Sequence, residues 1–214
     1  MDNPEKTCIL VTGTHRTFTS LVANIYHNGL GVPMGKRFLP ADYRNPQGYW
    51  EDLDFRDRNQ QMIGGWSSAK LDSSPADRLY FDRLIRGRFR EHNVWGVKDV
   101  RFCFTLPVFV EAFPFDARLE ILICMRPHEE SARSVERAMR VPLSAARSVV
   151  VKYDLELQKN TKKLPKNVGT LWFSTDRLFT QPEQTVRTLA HIAGVPYQPE
   201  ALDIIDPELR HLNG

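Results

Sequence analysis

Short apolar runs of strand length alternate along this chain with longer stretches of helical periodicity. Such an alternation is typical of βαβ units, in which helices cover both faces of a mainly parallel central sheet. We therefore predict an α/β fold whose ligands bind beyond the carboxyl ends of the strands, at a switch in strand order. The strand-like runs are residues 8–12, 94–97, 119–125 and 168–173. The helical patterns span approximately residues 20–28, 52–63, 75–91, 127–139, 143–160 and 182–193.

Length and composition indicate a single globular domain and give no sign of a nucleic-acid or membrane partner. The chain has 214 residues, of which 42% are hydrophobic and 26% charged, and these values are typical of one globular domain, predicted over residues 1–214. The formal charge of +3 is too small an excess to indicate a nucleic-acid partner. The three cysteines form no C-x-x-C pair, and the N-terminal residues carry no leader or lipidation motif. We expect reduced thiols, a cytoplasmic location and no membrane partner, while the oligomeric state stays open.

The segment GTHRTFTS at residues 13–20 follows the first predicted strand and opens a helix. Backbone N–H groups and the helix dipole converge at such a junction, which suits an anion. Compared with the pattern G-x-x-x-x-G-K-[ST], Phe18 replaces the second Gly and Thr19 replaces the Lys that contacts the β- and γ-phosphates, which disfavours a Mg-ATP kinase. Arg16 instead offers a planar fork of donors, and nearby hydroxyls add further bonds. The alternative is a helix start that is merely capped by polar residues.

A second candidate site follows the predicted strand at residues 119–125. Arg126 comes directly after this strand, and Ser134 lies in the next helix, eight positions on. A helix that starts near Pro127 directs the guanidinium toward the same sheet edge as the loop, where a second phosphate fits. The alternative is a surface cation and an ordinary helical serine.

These residues resemble the bacterial-type sulfotransferases that use 3′-phosphoadenosine 5′-phosphosulfate (PAPS). In that family the 5′-phosphosulfate loop commonly reads G-x-x-R-S-G-T-S after the first strand, where residues 13–20 stand here. The family's 3′-phosphate site pairs an Arg at a strand end with a Ser eight residues later, as Arg126 and Ser134 do. The segments NPQGYWED at 45–52 and WGVKDVR at 95–101 are similar to the family's N-P-x-G-[FY]-[FW]-E-[DN] and G-V-K-D-P-R segments.

The resemblance extends from Cys8 to Arg210, because IDPELR at residues 205–210 is similar to the family's D-P-x-L-R tail. It implies a P-loop NTPase-like sulfotransferase fold, PAPS as the sulfate donor, adenosine 3′,5′-bisphosphate (PAP) as the product, and no metal. The residues that it implies for donor binding are Thr14, His15, Arg16, Thr17, Phe18, Thr19, Ser20, Arg126 and Ser134.

Three positions depart from the family pattern. Phe18 stands where Gly is usual, so either its side chain turns away from the phosphosulfate or the loop backbone changes. Val100 replaces a common Pro, which is a mild change. Thr175 stands where a Tyr often contacts the cofactor, so that contact is not expected here.

Sulfuryl transfer needs an acceptor in line with the breaking sulfur–oxygen bond, cations over the developing charge, and a base for the acceptor proton. The resemblance places Arg16 by the sulfonate and Lys98 by the bridging oxygen. The alternative for Lys98 is an ion pair with Asp99 or another surface acid.

Glu51 is the predicted general base. The resemblance implies a Glu in this role where the His of cytosolic-type sulfotransferases is absent, as it is here with Val100, and burial beside Tyr49 and Trp50 would raise the pKa of Glu51. The alternative is that Glu51 or Asp52 merely caps the helix that begins there. His15, an imidazole within the loop, is the second candidate base.

The acceptor is less constrained by the sequence. Aromatic residues between the first two predicted strands either line an acceptor pocket or belong to the core: Phe38, Tyr43, Tyr49, Trp50 and Trp66. Residues 64–75 form either a lid or an ordinary surface loop. A basic series on one predicted helix is either a solvated face or a site for a polyanionic acceptor such as a glycan. It comprises Arg83, Arg86, Arg88 and Arg90.

The sequence therefore predicts a sulfotransferase that modifies a hydroxyl or amine of a small molecule or glycan. Two alternatives remain, a P-loop kinase for a nucleotide or small molecule and a non-catalytic nucleotide-binding protein of the same fold.

Overall fold

The computed structural model describes residues 6–209, so Arg210 at the end of the family-like tail lies outside the described residues. Four parallel strands form one sheet in the order β2-β1-β3-β4, which confirms the predicted parallel α/β fold. The strands are β1 (Thr7–Gly13), β2 (Val94–Lys98), β3 (Arg118–Met125) and β4 (Gly169–Ser174).

Helices connect the strands and cover the sheet. They are α1 (Thr19–Asn24), continued by a π-helical turn (Ile25–Gly29), α2 (Leu53–Ile63), α3 (Pro75–Glu91), α4 (Phe102–Glu111), α5 (His128–Met139), α6 (Leu143–Thr161), α7 (Arg177–Thr180) and α8 (Pro182–Ala193), and a 3₁₀ turn (Pro199–Ile204) follows. The six predicted helices are present within a few residues. Helix α4 was not predicted, because it is apolar almost all round and contains Pro107, so its sequence shows no amphipathic period.

Strand β1 is buried along its whole length because helices cover both of its faces. Side chains alternate between the two faces of a strand. Cys8 and Leu10 pack into one core with residues of α2, α3, α4 and α6, whereas Ile9 and Val11 pack into a second core with residues of α1 and α8. The three cysteines are buried free thiols, in agreement with the prediction.

The switch in strand order lies at β1. The chain leaves β1 toward β2 on one side and later returns to β3 on the other side. The register places Lys98 of β2 opposite Val11 and places Cys124 of β3 opposite Gly13. The carboxyl ends of these three strands therefore lie side by side, at the position where such folds bind ligands. Between Lys6 and Leu209 no helix has the length and apolar character to cross a bilayer.

Candidate functional site

The loop after β1 has the tight backbone expected of an anion-binding turn. A Cβ atom on Gly13 would lie 2.4 Å from the backbone oxygen of Cys124, so only glycine fits this close approach to β3. Thr17 Oγ1 donates to the backbone oxygen of Thr14 at 2.9 Å and closes the turn. Arg16 has a φ of 63°, in the left-handed region, and the chain then enters α1 at Thr19.

Of the two alternatives for Phe18 at the position where the family usually has Gly, the structure shows the changed backbone. Its φ of 58° and ψ of 21° are left-handed, the conformation that a glycine would adopt at lowest cost. The ring packs edge-on against Phe179, with centroids 5.1 Å apart, and the Arg126 guanidinium lies over it at 4.8 Å. The bulky side chain thus joins the loop to the segment after β3.

The two clusters predicted from the sequence meet at Arg16. Its Nε donates to Ser134 Oγ at 2.9 Å, across 118 residues of chain. Arg126 Nη1 donates to the backbone oxygen of Arg16 at 3.4 Å, and its Nε contacts Glu130 at 3.0 Å. The side chain of Arg126 is only 5% exposed. Arg126 and Ser134 are therefore parts of the loop's surroundings and not an isolated surface cation and serine.

A buried group of charges lies beside the loop at the end of β2. Lys98 Nζ donates to Glu51 Oε1 at 2.9 Å and contacts Ser20 Oγ at 3.4 Å. Arg101 Nη1 reaches Glu51 Oε2 at 3.0 Å and Asp99 Oδ1 at 2.7 Å. Lys98 therefore pairs with Glu51, whereas the alternative partner Asp99 is bound by Arg101. Both oxygens of Glu51 accept hydrogen bonds from cations.

This arrangement overturns the expected pKa of Glu51. Burial does raise it, but the charges of Lys98 and Arg101 outweigh burial and lower the pKa from 4.5 to about 2. Burial next to Tyr49 and Trp50 is therefore the weaker effect. Glu51 is a carboxylate at neutral pH.

Capping of α2 belongs to Asp52 and not to Glu51. Asp52 Oδ1 accepts from the backbone nitrogen of Asp54 at 3.1 Å, while its other oxygen pairs with Arg88 at 2.5 Å. The Arg88 side chain is 7% exposed, so the predicted solvated face of α3 is wrong at this position. Arg88 anchors the segment that presents Glu51.

His15 has a fixed partner. Trp66 Nε1 donates to His15 Nε2 at 3.0 Å, and the rings of His15 and Tyr153 lie 4.5 Å apart. Burial, helped by the charge of Arg101, lowers the pKa of His15 from 6.5 to about 3. The imidazole is therefore neutral, and the nitrogen that could accept a proton is already bonded. This tryptophan comes from the segment 64–75, which has no regular secondary structure before α3 begins at its last residue.

A cavity of about 340 Å³ joins the loop to the buried charges. Its lining includes the predicted residues His15, Arg16, Phe18, Thr19, Ser20, Glu51 and Lys98. Thr14, Thr17 and Arg126 line a separate cavity of about 190 Å³ instead. The predicted site residues other than Ser134 are thus divided between two spaces at the ends of β1 and β3. Ser134 lines neither space and contacts the first group through its hydrogen bond from Arg16.

The aromatic residues predicted for the acceptor pocket are also divided. Tyr49, Trp50 and Trp66 line the 340 Å³ cavity. Phe38 packs against Trp50 and His27, with centroid distances of 5.1 Å to each. Tyr43 is 74% exposed. Three of the five aromatic residues therefore face the cavity.

Solved structures resemble this fold over nearly the whole chain. The sulfotransferase domain of the olefin synthase from Synechococcus PCC 7002 superposes with a TM-score of 0.60 at 13% identity, covering 99% of this chain and 85% of that one. The sulfotransferase domain from the curacin biosynthetic pathway gives a TM-score of 0.54 at 16% identity and covers 96% and 79%. Sulfotransferase STF1 from Mycobacterium tuberculosis H37Rv gives 0.51 at 16% identity and covers 94% and 71%.

The chain has a sulfotransferase fold. No protein-family model matches the sequence, and no curated protein matches it. The likeness to the sulfotransferases is therefore one of structure, and the roles of individual residues rest on their own geometry.

Arg101 is a residue of this site for which the sequence predicted no role. Arg101 follows β2, bridges Glu51 and Asp99, and donates through Nε to Gln60 Oε1 at 2.9 Å. The only signal in the sequence is its place at the end of the WGVKDVR segment. Tyr153 and Met139 also line the cavity, and they come from helices distant in sequence.

Proposed function

We propose that this protein is a PAPS-dependent sulfotransferase, a single domain that moves a sulfuryl group to a hydroxyl or amine of an acceptor. The observation that carries the proposal is the meeting of Lys98 and Glu51 with the loop residues Arg16 and Ser20 around one cavity at the switch point. A cation, a carboxylate and an anion-binding loop are the groups that sulfuryl transfer requires.

The chemistry of this donor set fits a phosphosulfate. Arg16 supplies a guanidinium, Thr19 and Ser20 supply hydroxyls, and Lys98 supplies an ammonium group, all lining the same cavity. The first backbone N–H groups of a helix lack partners within the helix, so the start of α1 adds further donors. Arg126 and Ser134 both contact Arg16, and we propose that they hold the 3′-phosphate.

Bound PAPS would supply an activated sulfuryl group, whose bond to the phosphate oxygen breaks as a bond to the acceptor oxygen or nitrogen forms. Lys98 is placed to stabilise the negative charge that grows on the departing oxygen, and Arg16 the charge on the sulfonate. Glu51 accepts the acceptor proton.

A pKa of about 2 makes Glu51 a weak base as long as both of its oxygens are paired. Movement of Lys98 from Glu51 Oε1 toward an incoming anion would remove the first of the two cations that lower this pKa. The basicity of Glu51 is thereby coupled to occupancy of the donor site. Arg101 keeps the carboxylate in place through its other oxygen.

Binding of PAP, measured by calorimetry, tests the proposal. The wild-type protein should bind PAP, and Arg126→Ala should weaken binding at least ~10-fold because a charge-assisted bond is lost. Arg133→Ala is the matched control, since Arg133 is exposed on α5 and pairs with Glu129. The melting temperature of each variant reports whether folding is intact. Failure of the wild-type protein to bind PAP, or equal losses in the two variants, would contradict the proposal.

A further inference from the structure

The 340 Å³ cavity has mainly apolar walls. Aromatic and aliphatic side chains from five segments of the chain form them: Trp50, Trp66, Val100, Val135, Met139 and Tyr153. Three of these six are large aromatic rings, which offer flat apolar surfaces to a bound molecule. An apolar group would gain free energy by leaving water for this space.

Three arginines that line the same cavity are already ion-paired. Arg44 Nε bonds Asp42 Oδ2 at 2.8 Å, and Arg56 pairs with Asp57 at 2.7 Å. Arg101 is held by Glu51 and Asp99. An anionic acceptor would therefore lose its hydration on entering and would have to compete for cations that have partners, which is costly.

Two of the three side-chain amides in the walls, those of Gln60 and Asn45, are engaged as well. Gln60 Oε1 accepts from Arg101, and Asn45 Nδ2 donates to Ser20 Oγ at 3.1 Å. Each hydroxyl of a sugar that loses water without gaining a partner costs about 1–3 kcal/mol. A molecule with many hydroxyls is therefore a poor match to these walls.

The basic series on α3 lies outside this cavity. Arg88 is buried against Asp52 and Asp54, and Arg86 pairs with Asp82 at 2.8 Å on the same helix. None of the four arginines of the series belongs to the cavity lining. The expected glycan acceptor rested on this series, and the series does not face the cavity in which an acceptor would meet Glu51.

We infer that the acceptor is an uncharged, lipophilic phenol or alcohol whose hydroxyl is directed toward Glu51. This inference rests on the proposed function and names the substrate class of the same site. The donor's phosphosulfate would share this cavity of about 340 Å³, which is at the small end of ligand pockets, so the part of the acceptor next to the hydroxyl is compact.

The experiment compares three acceptors. Calorimetry measures their binding to the complex of the protein with PAP, and product formation then measures their reaction when PAPS is the donor. The probes are 2-naphthol, its carboxylate analogue 6-hydroxy-2-naphthoate, and N-acetylglucosamine. We expect 2-naphthol to bind the complex and to react at least ~10-fold more efficiently than either of the others, because it alone carries neither a charge nor several hydroxyls.

A pair of variants tests whether 2-naphthol binds against the apolar wall of the cavity. Met139 lines the cavity and is 39% exposed, so Met139→Gln should fold and weaken 2-naphthol binding about fivefold through loss of apolar contact. Leu155→Gln is the control, because Leu155 is 59% exposed on α6 and outside this cavity. Both variants should bind PAP as the wild type does.

The outcomes separate this inference from the proposed function. If PAP does not bind, the proposed function itself fails. If PAP binds but 2-naphthol does not, or if the carboxylate or the sugar binds and reacts as well as 2-naphthol, the acceptor class is wrong while the donor assignment stands. Equal effects of Met139→Gln and Leu155→Gln would also overturn the inference, since the apolar wall would then not be the contact.

Discussion

Replacement of Glu51 by Gln tests the buried charges beside the loop. In the folded protein the pKa of Glu51 is about 2 instead of 4.5, because Lys98 and Arg101 outweigh the effect of burial. This difference corresponds to about 3 kcal/mol of folding stability at pH 7, since a tenfold change in proton affinity equals ~1.4 kcal/mol. Glu51→Gln removes this contribution and leaves two buried cations facing a neutral amide. We expect the free energy of unfolding at pH 7 to fall by about that amount.

The pH dependence gives the sign of the effect. A carboxylate whose folded pKa is lowered stabilises the protein fully above its unfolded pKa of 4.5 and loses that contribution as the pH falls toward 2. The difference in unfolding free energy between the wild type and Glu51→Gln should therefore be less than about half as large at pH 3 as at pH 7. Urea denaturation at the two pH values measures it.

Glu183→Gln is the matched control for this measurement. Glu183 also pairs with an arginine, Arg187 at 2.8 Å, but its side chain is 60% exposed. An exposed pair contributes little, so the control should change stability only slightly at either pH. If Glu51→Gln is as stable as the wild type at pH 7, or if its deficit is the same at pH 3, the carboxylate is not held ionised by its two neighbours.

Three further predictions concern the loop and its support. Phe18→Val should be about 1 kcal/mol less stable to urea than Phe18→Gly, because a β-branched residue is strained at a φ of 58°; equal stabilities would refute a left-handed Phe18. Arg88→Met should lower the melting temperature far more than Arg86→Met, with a loss of about 3 kcal/mol for the buried pair, and similar losses would mean that the pair with Asp52 is unimportant. Because the pKa of His15 is lowered to about 3, its unfolded form gains a proton first as the pH falls below 6.5. The wild type should thus lose about 1 kcal/mol relative to His15→Asn between pH 7 and pH 5.5, measured by urea denaturation, and an unchanged difference would contradict a neutral imidazole.

The sequence predicted the sheet and much of the site because its signals there are local. A loop that joins a strand to a helix, or an arginine that follows a strand, is recognisable within a few residues, and parallel strands bring their carboxyl ends to one edge. Residues as distant as Arg16 and Ser134 could therefore be assigned to neighbouring positions, and the structure joins them by a hydrogen bond.

Other features could not be predicted because they depend on contacts between distant segments. The low pKa of Glu51 results from Lys98, which lies 47 residues away, and from Arg101. The hydrogen bond that His15 Nε2 accepts comes from Trp66, which lies in a loop without regular secondary structure 51 residues away. Helix α4 lacks a periodic pattern because it is buried on nearly all sides.

Transfer of label from ³⁵S-PAPS to a panel of phenols, alcohols, amines and sugars tests the central claim most directly. We predict labelled product with the wild-type protein and at least ~100-fold less with Lys98→Ala, because a cation that stabilises the transition state is lost. Lys159→Ala is the control, since Lys159 is exposed and pairs with Glu156 on α6. Equal transfer by the wild type and Lys98→Ala, or transfer of the γ-phosphate of ATP in place of the sulfuryl group, would contradict the account.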